Sequence, residues 1–213
     1  MSDVYTYVVQ YDRGLAPNPF GGFCTLAVCT PNHMSCQAKP GDWIAGVSGA
    51  ERGHQLIYAM QVSKVMHFND YFNDPNFASK KPVQRGTPEQ RCGDNFYSLD
   101  AQGRWLQHWS PWHYGSEALQ QDTKHPRAFI AERFWYLGRE AVSLPNALRP
   151  MFGGHGMRKR HTPGQAAEFQ EWVIETLREG LIALPRDLEA SDDCASSTGC
   201  SLPPRCGGTG TCG

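Results

Sequence analysis

Short strand-like segments, separated by turns rich in proline and glycine, dominate the first two thirds of the chain. Residues 4–11 (VYTYVVQY) alternate and are rich in Val and Tyr, which is typical of a strand. The other predicted strands are residues 23–30, 41–48, 55–65 and 128–138, with a hairpin formed by 95–100 and 104–109. Gly103 can take the left-handed conformation that the hairpin turn needs. Residues 66–93 are polar and contain three prolines, so they predict a short helical turn followed by a long loop.

One segment carries strong helix signals. Thr162 fits the N-cap, Pro163 the first helical position, and Gln165 completes the spacing of a capping box. The apolar residues that follow recur at steps of three or four and are Ala166, Phe169, Val173, Leu177 and Leu181. Pro185 would end the helix, so the sequence predicts an amphipathic helix over residues 162–184.

The composition changes near the C-terminus. Residues 189–213 contain almost no large apolar side chains, so they cannot bury enough surface to fold alone. We therefore predict one domain over residues 1–188 and a tail over 189–213. The tail cysteines recur at a constant six-residue interval, at Cys194, Cys200, Cys206 and Cys212. Four thiolates could bind zinc or an iron–sulfur cluster, and a disordered tail with reactive thiols or disulfides is the alternative.

The stretch APNPFGG, residues 16–22, can continue neither a strand nor a helix, because it holds two prolines and two glycines. We interpret it as a stiff loop at the rim of a binding pocket, presenting Asn18 and Phe20. The two glycines would let the backbone approach a ligand closely. The alternative is a plain turn with Phe20 packed in the core.

Other aromatic and polar residues could complete such a pocket. An aromatic face that stacks on an unpaired base contributes about 1–3 kcal/mol, and the candidate faces besides Phe20 are Trp43, Trp105, Trp109 and Trp112. The polar residues at predicted strand ends or in loops, where side chains can reach a ligand, include Asp12, Asp94 and Asn95. For the tryptophan-rich stretch 105–115, a core face is the alternative interpretation.

A basic glycine-rich segment, FGGHGMRKRH (152–161), precedes the predicted helix. Glycines free the backbone around His155, and Arg158 and Lys159 follow. Backbone N–H groups and basic side chains near a helix N-terminus suit a phosphate group. The Walker spacing is missing, and a solvated basic loop is the alternative.

Composition narrows the function only slightly. The 20 basic and 21 acidic residues nearly cancel, so net charge indicates no particular partner. No apolar stretch approaches the length of a membrane span and no secretory signal is visible, so a soluble cytoplasmic protein is predicted. Deaminase, metalloprotease and dinucleotide-binding motifs are missing. A general acid–base pair would have to combine His155 or His108 with Asp12 or Asp94.

Two resemblances refine this picture. The turn and strand KPGDWIAGVSG (39–49), followed by LIYAMQVSKV, are similar to the entry into the small barrel of the PUA-like superfamily, in its EVE and YTH branches. In chain order, YTYVVQYDRGLAPNPFGGFCTLAVC, GDWIAG, LIYAMQV, DNFY and FGGHGMRK resemble the nucleotide modification associated domain 2 family, over about residues 4–185.

The resemblance implies an α+β fold with a PUA-like β-barrel core and peripheral helices, in the setting of DNA-modification or phage-defence systems. It implies no catalytic residue. We predict that the chain recognises a modified base or nucleotide, with modified nucleic acid or a nucleotide as its partner. The alternatives are an enzyme that modifies or hydrolyses a nucleobase or nucleotide, and a metal- or redox-responsive accessory protein that acts through the cysteine tail.

Overall fold

The computed structural model describes residues 2–28, 36–154 and 156–188. The strands are β1 (Val4–Val8), β2 (Cys24–Leu26), β3 (Trp43–Val47), β4 (Leu56–Gln61), β5 (Lys64–His67), β6 (Tyr97–Leu99), β7 (Trp105–Gln107), β8 (Arg127–Ala131), β9 (Arg133–Tyr136) and β10 (Gly180–Leu181). The α-helices are α1 (Phe68–Asn73), α2 (Pro88–Arg91), α3 (Gly115–Asp122) and α4 (Pro163–Thr176). The predicted α+β class is therefore confirmed.

The strands form three sheets. One has five strands in the order β1-β3-β4-β9-β10, one has three in the order β2-β8-β5, and β6 pairs with β7 alone. The pairs β1–β3 and β9–β10 are parallel and the other pairs are antiparallel. The predicted hairpin is confirmed as β6–β7, and Gly103 in its turn has a φ of 75°.

Both faces of the five-stranded sheet are buried, because α4 covers one and the three-stranded sheet covers the other. On β3, Trp43 packs with Phe169 of α4, whereas Ile44 packs with residues of the smaller sheet such as Leu26. The outer face of the smaller sheet is covered in turn by α1 and the hairpin, and Ile130 and Phe68 belong to one buried cluster there. The layers therefore run from α4 through the two sheets to α1 and β6–β7.

Two predicted strands are each divided between the two larger sheets. Residues 55–65 form β4 and β5, and the break comes where Val62 N–H donates to Asp42 (2.8 Å) and Ser63 N–H donates to Ile130 (2.8 Å). Residues 128–138 likewise divide into β8 and β9, with Glu132 between them. Both divisions are corners at which the chain leaves one sheet for the other.

The predicted PUA-like barrel is wrong for the described part of the chain. None of the three sheets closes on itself, and β1 and β10 are the two edges of the largest one. The physical reason is the layering: each face of the five-stranded sheet is covered by another element, so its apolar side chains are buried without closure.

The start of the predicted helix is confirmed and its end is corrected. Thr162 Oγ1 accepts from the N–H of Gln165 (3.2 Å), and Gln165 Oε1 accepts from the N–H of Thr162 (3.0 Å), which makes a full capping box. The helix ends at Thr176 because Leu177 is extended, and the chain turns into β10 instead of reaching Pro185.

The polar region 66–93 is more ordered than predicted. It holds α1, a 3₁₀ segment at Pro75–Lys80 and the short α2, whose Thr87 and Gln90 form a second capping box. Across the described residues, no helix has the length and apolar character needed to cross a bilayer. The predicted boundary near residue 188 stays a prediction.

Candidate functional site

The loop of residues 16–22 is fixed by hydrogen bonds from its own backbone and from Asn18. Asn18 exchanges two backbone hydrogen bonds with Thr25, at 2.8 and 2.9 Å. Its side-chain Nδ2 donates to the carbonyl of Cys92 (2.8 Å), and its Oδ1 accepts from the N–H of Phe20 (3.2 Å). Asn18 is therefore a buried anchor of the loop, while Phe20 stands at its half-buried tip.

A buried lysine supports this loop from inside. Lys80 Nζ, at the end of the 3₁₀ segment, donates to Asn18 Oδ1 (2.7 Å), to the Asn18 carbonyl (3.0 Å) and to the Phe23 carbonyl (2.8 Å). Burial lowers the pKa of Lys80 to about 8, and the negative charge of Asp94 opposes that fall. Three acceptors spread over residues 18–23 make Lys80 the main polar support of the loop.

Asp94 and Asn95 belong to the same buried polar layer. Asp94 accepts from Thr25 Oγ1 (2.7 Å) and from Tyr71 Oη (2.8 Å). Burial raises the pKa of Asp94, and the positive charge of Lys80 counteracts that rise. Asn95 Nδ2 donates to the carbonyls of Tyr71 (3.0 Å) and Phe77 (3.2 Å). Both residues are 2% exposed, and in this structure they hold the segments around the loop in place.

A cavity of about 550 Å³ opens between the loop and the β9–β10 edge of the five-stranded sheet. It is lined by Pro19, Phe20, Gly21, Gly22, Glu132, Phe134, Glu179, Gly180 and Leu181. One side of Phe20 is seated on Gly14, where a Cβ would lie 2.9 Å from the ring. Phe20 at the loop tip therefore packs partly against Gly14 and partly lines the cavity. The pocket-rim interpretation and the packed-turn interpretation each describe part of its surroundings.

The tryptophans lie elsewhere. Trp43 is 1% exposed, stacks on Trp135 at 5.1 Å between ring centroids and contacts Phe169. Trp112 is half-buried and packs against the cluster under the hairpin, and Trp109 is also half-buried. Trp105 is partly buried in the same cluster, and the structure does not bring any of the candidate tryptophans to the cavity at Phe20.

The basic segment lies at the opposite edge of the five-stranded sheet. The backbone of Arg158 bridges to Thr6 of β1, and Lys159 forms an ion pair with Asp3 at 2.9 Å. Because β1 and β10 are separated by four strand spacings, roughly 19 Å, this segment and the cavity are distinct places. The predicted phosphate residue His155 lies outside the described residues.

His108 forms neither of the acid–base pairs predicted for it, with Asp12 or with Asp94. Its Nε2 lies 2.9 Å from Ser98 Oγ, its ring stacks on Phe72 at 4.4 Å, and burial lowers its pKa. The histidine that meets a buried carboxylate is His113, whose Nδ1 lies 2.6 Å from Asp122 Oδ2. This pair lies beneath the hairpin, and neither residue lines the cavity.

Asp12 holds the C-terminal end of the described chain. Its carboxylate accepts from Tyr136 Oη and from the N–H of Arg186 (2.9 Å), and its backbone N–H donates to Asp187 Oδ2 (2.8 Å). Burial raises the pKa of Asp12, while the hydrogen bonds from Tyr136 and Arg186 oppose the rise. These contacts give Asp12 a structural role in the described chain.

Tyr136→Phe is expected to destabilise the fold by about 1.5–3 kcal/mol at neutral pH, the value of a hydrogen bond to a charged group. Because the pKa of Asp12 is raised in the folded state, its contribution to stability is full below the ordinary value of 3.8 and declines as pH rises through the folded-state pKa. Without the Tyr136 hydroxyl that pKa rises further, so the loss should grow between acidic and neutral pH. Urea unfolding across this range measures it.

Tyr58→Phe is the matched control, because the Tyr58 hydroxyl is also buried but donates to Tyr7 Oη (3.0 Å) and not to a carboxylate. Its effect should change little with pH. A Tyr136→Phe loss of equal size at acidic and neutral pH would contradict the assigned coupling to Asp12.

The cysteine tail lies outside the described residues, and those residues contain no group of three or more His, Cys, Asp or Glu placed to hold a metal. Purified full-length protein is expected to carry about one zinc, or one iron–sulfur cluster, per chain if Cys194, Cys200, Cys206 and Cys212 bind together. Elemental analysis with thiol titration checks this. Four freely titrating tail thiols without metal would contradict it.

Sequence reasoning missed the residues that give the site its shape. Lys80 stood in a polar region with no local signal of burial, and Phe134 stood in an apolar strand like any other. Glu132 and Glu179 flank strands as ordinary charged residues do. Only the pairing of β9 with β10 brings Phe134, Glu179 and the loop to one cavity.

Comparisons with curated proteins and with solved structures gave no match. The family described as nucleotide modification associated domain 2 matches residues 1–192. The match confirms the resemblance seen in the sequence, and it spans both the cavity and all the described layers. The chain therefore belongs to the nucleotide modification associated domain 2 family, whose description associates it with nucleotide modification.

Proposed function

We propose that the chain recognises a modified base or nucleotide within a nucleotide-modification or phage-defence system, and that the base lies in the cavity at Phe20. The observation that carries the proposal is the cavity wall itself. Phe20 and Phe134 come from different elements and are both among the residues that line one opening, where Phe20 is half-buried and Phe134 is 6% exposed. Family membership supplies the nucleotide context.

The size and stiffness of the cavity support this use. Ligand sites commonly enclose about 300–1,000 Å³, and the cavity measures about 550 Å³. The loop that carries Phe20 is held by Asn18 and by three hydrogen bonds from Lys80. A wall ordered before the ligand arrives avoids much of the entropy that binding would otherwise cost.

Removal of the aromatic face tests the proposal. Phe20→Ala is expected to weaken nucleoside binding about fivefold to 150-fold, since one stacking face contributes about 1–3 kcal/mol. Isothermal titration calorimetry with natural and modified nucleosides measures the change, and mass spectrometry of nucleotides that co-purify identifies the natural ligand. Tyr114→Ala is the matched control, because Tyr114 is 55% exposed and lies outside the cavity.

If Phe20→Ala binds nucleosides as tightly as the unmodified protein, the base does not lie in this cavity. If the unmodified protein binds no nucleoside and carries no nucleotide on purification, the proposed function is wrong.

A further inference from the structure

The charged residues that line the cavity are both acidic. Glu132 and Glu179 are its charged lining residues, and no Lys, Arg or His is among the lining residues of this cavity. Arg133 donates to Oε2 of Glu179 through Nε (3.1 Å) and Nη2 (3.0 Å). The carboxylate of Glu132 has no hydrogen bond or ion pair to any residue that the structure describes. The cavity thus offers at least one carboxylate for a ligand.

The backbone next to these carboxylates is also open. β10 is an edge strand, and Ile182 N–H donates to Tyr136 on β9 at 2.9 Å. In a parallel pair, alternate residues direct their N–H and C=O groups to the partner strand. Leu181, between Gly180 and Ile182, therefore directs its N–H and C=O away from β9, to the free edge of the sheet.

The glycines of the wall keep this surface uncovered. Gly22 and Gly180 have φ values of 85° and 100°, and a Cβ built at either position would meet nothing within 4 Å. A flat ligand could therefore approach the backbone closely on the loop side and on the β10 side.

Resting on the proposed function, we propose that the cavity selects bases that carry an exocyclic amino group. An ionised carboxylate only accepts hydrogen bonds, so it pairs with an amino group and repels a carbonyl oxygen. The Leu181 backbone offers one donor and one acceptor, which match the ring nitrogen and the amino group of cytosine or adenine. Uracil, thymine and hypoxanthine place an oxygen where the amino group would be.

Matched nucleosides that differ at that one group test the selection. Calorimetry with cytidine against uridine, and adenosine against inosine, should show tenfold to hundredfold tighter binding of the amino member, as expected for one hydrogen bond to a charged group. Glu132→Gln should reduce that preference, because a neutral amide both donates and accepts. Glu175→Gln, an exposed site on α4 outside the cavity, should leave it unchanged.

Two outcomes separate this inference from the proposed function. Equal binding of amino and oxo nucleosides, weakened by Phe20→Ala, would overturn the selection and leave base recognition standing. Absence of binding by all four nucleosides would also overturn the selection, whereas base recognition is decided by the modified nucleosides and the co-purifying nucleotides. A preference that persists in full in Glu132→Gln would overturn the assignment of the selection to the cavity carboxylates.

Discussion

Lys80→Met is expected to lower the free energy of unfolding by about 3–5 kcal/mol at neutral pH, as is typical when one member of a buried charge group is removed. The substitution removes the Lys80 hydrogen bonds to the Asn18 and Phe23 carbonyls and to Asn18 Oδ1, and it leaves buried Asp94 without the nearby positive charge. Chemical denaturation measures the loss. In whatever fraction stays folded, nucleoside binding should also weaken, because the loop carrying Phe20 has lost its support.

Lys64→Met is the matched control, because Lys64 is exposed and its partner Asp74 lies 4.0 Å away. Its effect should stay within about 0.5 kcal/mol.

The Lys80 pKa of about 8 also determines the direction in which stability changes with pH. Between pH 8 and 10.5 folded Lys80 releases its proton before the unfolded chain does, so this group adds stability as pH rises. A loss below 1 kcal/mol in Lys80→Met, without this alkaline difference, would show that Lys80 does not support the loop.

Trp43→Ala is expected to destabilise the protein by about 3–5 kcal/mol, the range for an aromatic residue removed from a core. The cavity would open beside Trp135, which stacks on the indole, and Phe169, which packs edge-on with it. Nucleoside affinity of the folded molecules should not change, because Trp43 does not line the cavity at Phe20. Unfolding and calorimetric binding, measured on the same variant, distinguish a core residue from a base-stacking one.

Trp172→Ala removes a tryptophan of the same cluster that is only partly buried, so its loss of stability should be smaller. Trp43→Phe should also lose less, since it keeps most of the ring and removes an indole N–H that has no hydrogen-bond partner among the described residues. If Trp43→Ala is as stable as the unsubstituted protein but binds nucleosides more weakly, Trp43 belongs to the binding site and not to the core alone.

Features encoded over a few residues were predictable. The capping box at Thr162 and Gln165 set the start of α4, and Gly103 marked the hairpin turn. The divisions of the long strands at Ser63 and Glu132 were not, because the residues on both sides are apolar and strand-like. Those corners depend on which sheet each half pairs with, which is a tertiary choice.

The part of the candidate site that is encoded over a few neighbouring residues was also predictable. The two prolines and two glycines around Phe20 indicate a stiff exposed loop from composition alone. A buried lysine has no comparable signal: Lys80 is surrounded in sequence by residues typical of a solvated loop, and its burial follows only from the fold around Asn18 and Phe23. Trp43 is the opposite case: its place beside a turn indicated a pocket residue, but its side chain is buried in the core against α4.

The hydrogen bonds of Asp12 determine at which residue the chain can be truncated without loss of contacts in the fold. A chain that stops at Pro185 would lack the N–H of Arg186 and the carboxylate of Asp187, and a buried carboxylate would lose one of its donors. A chain that stops at Leu188 keeps both and omits all four tail cysteines. Expression of the longer of these two fragments therefore tests the proposed base recognition apart from any metal that the tail cysteines bind, and it keeps the Asp12 hydrogen bonds described above.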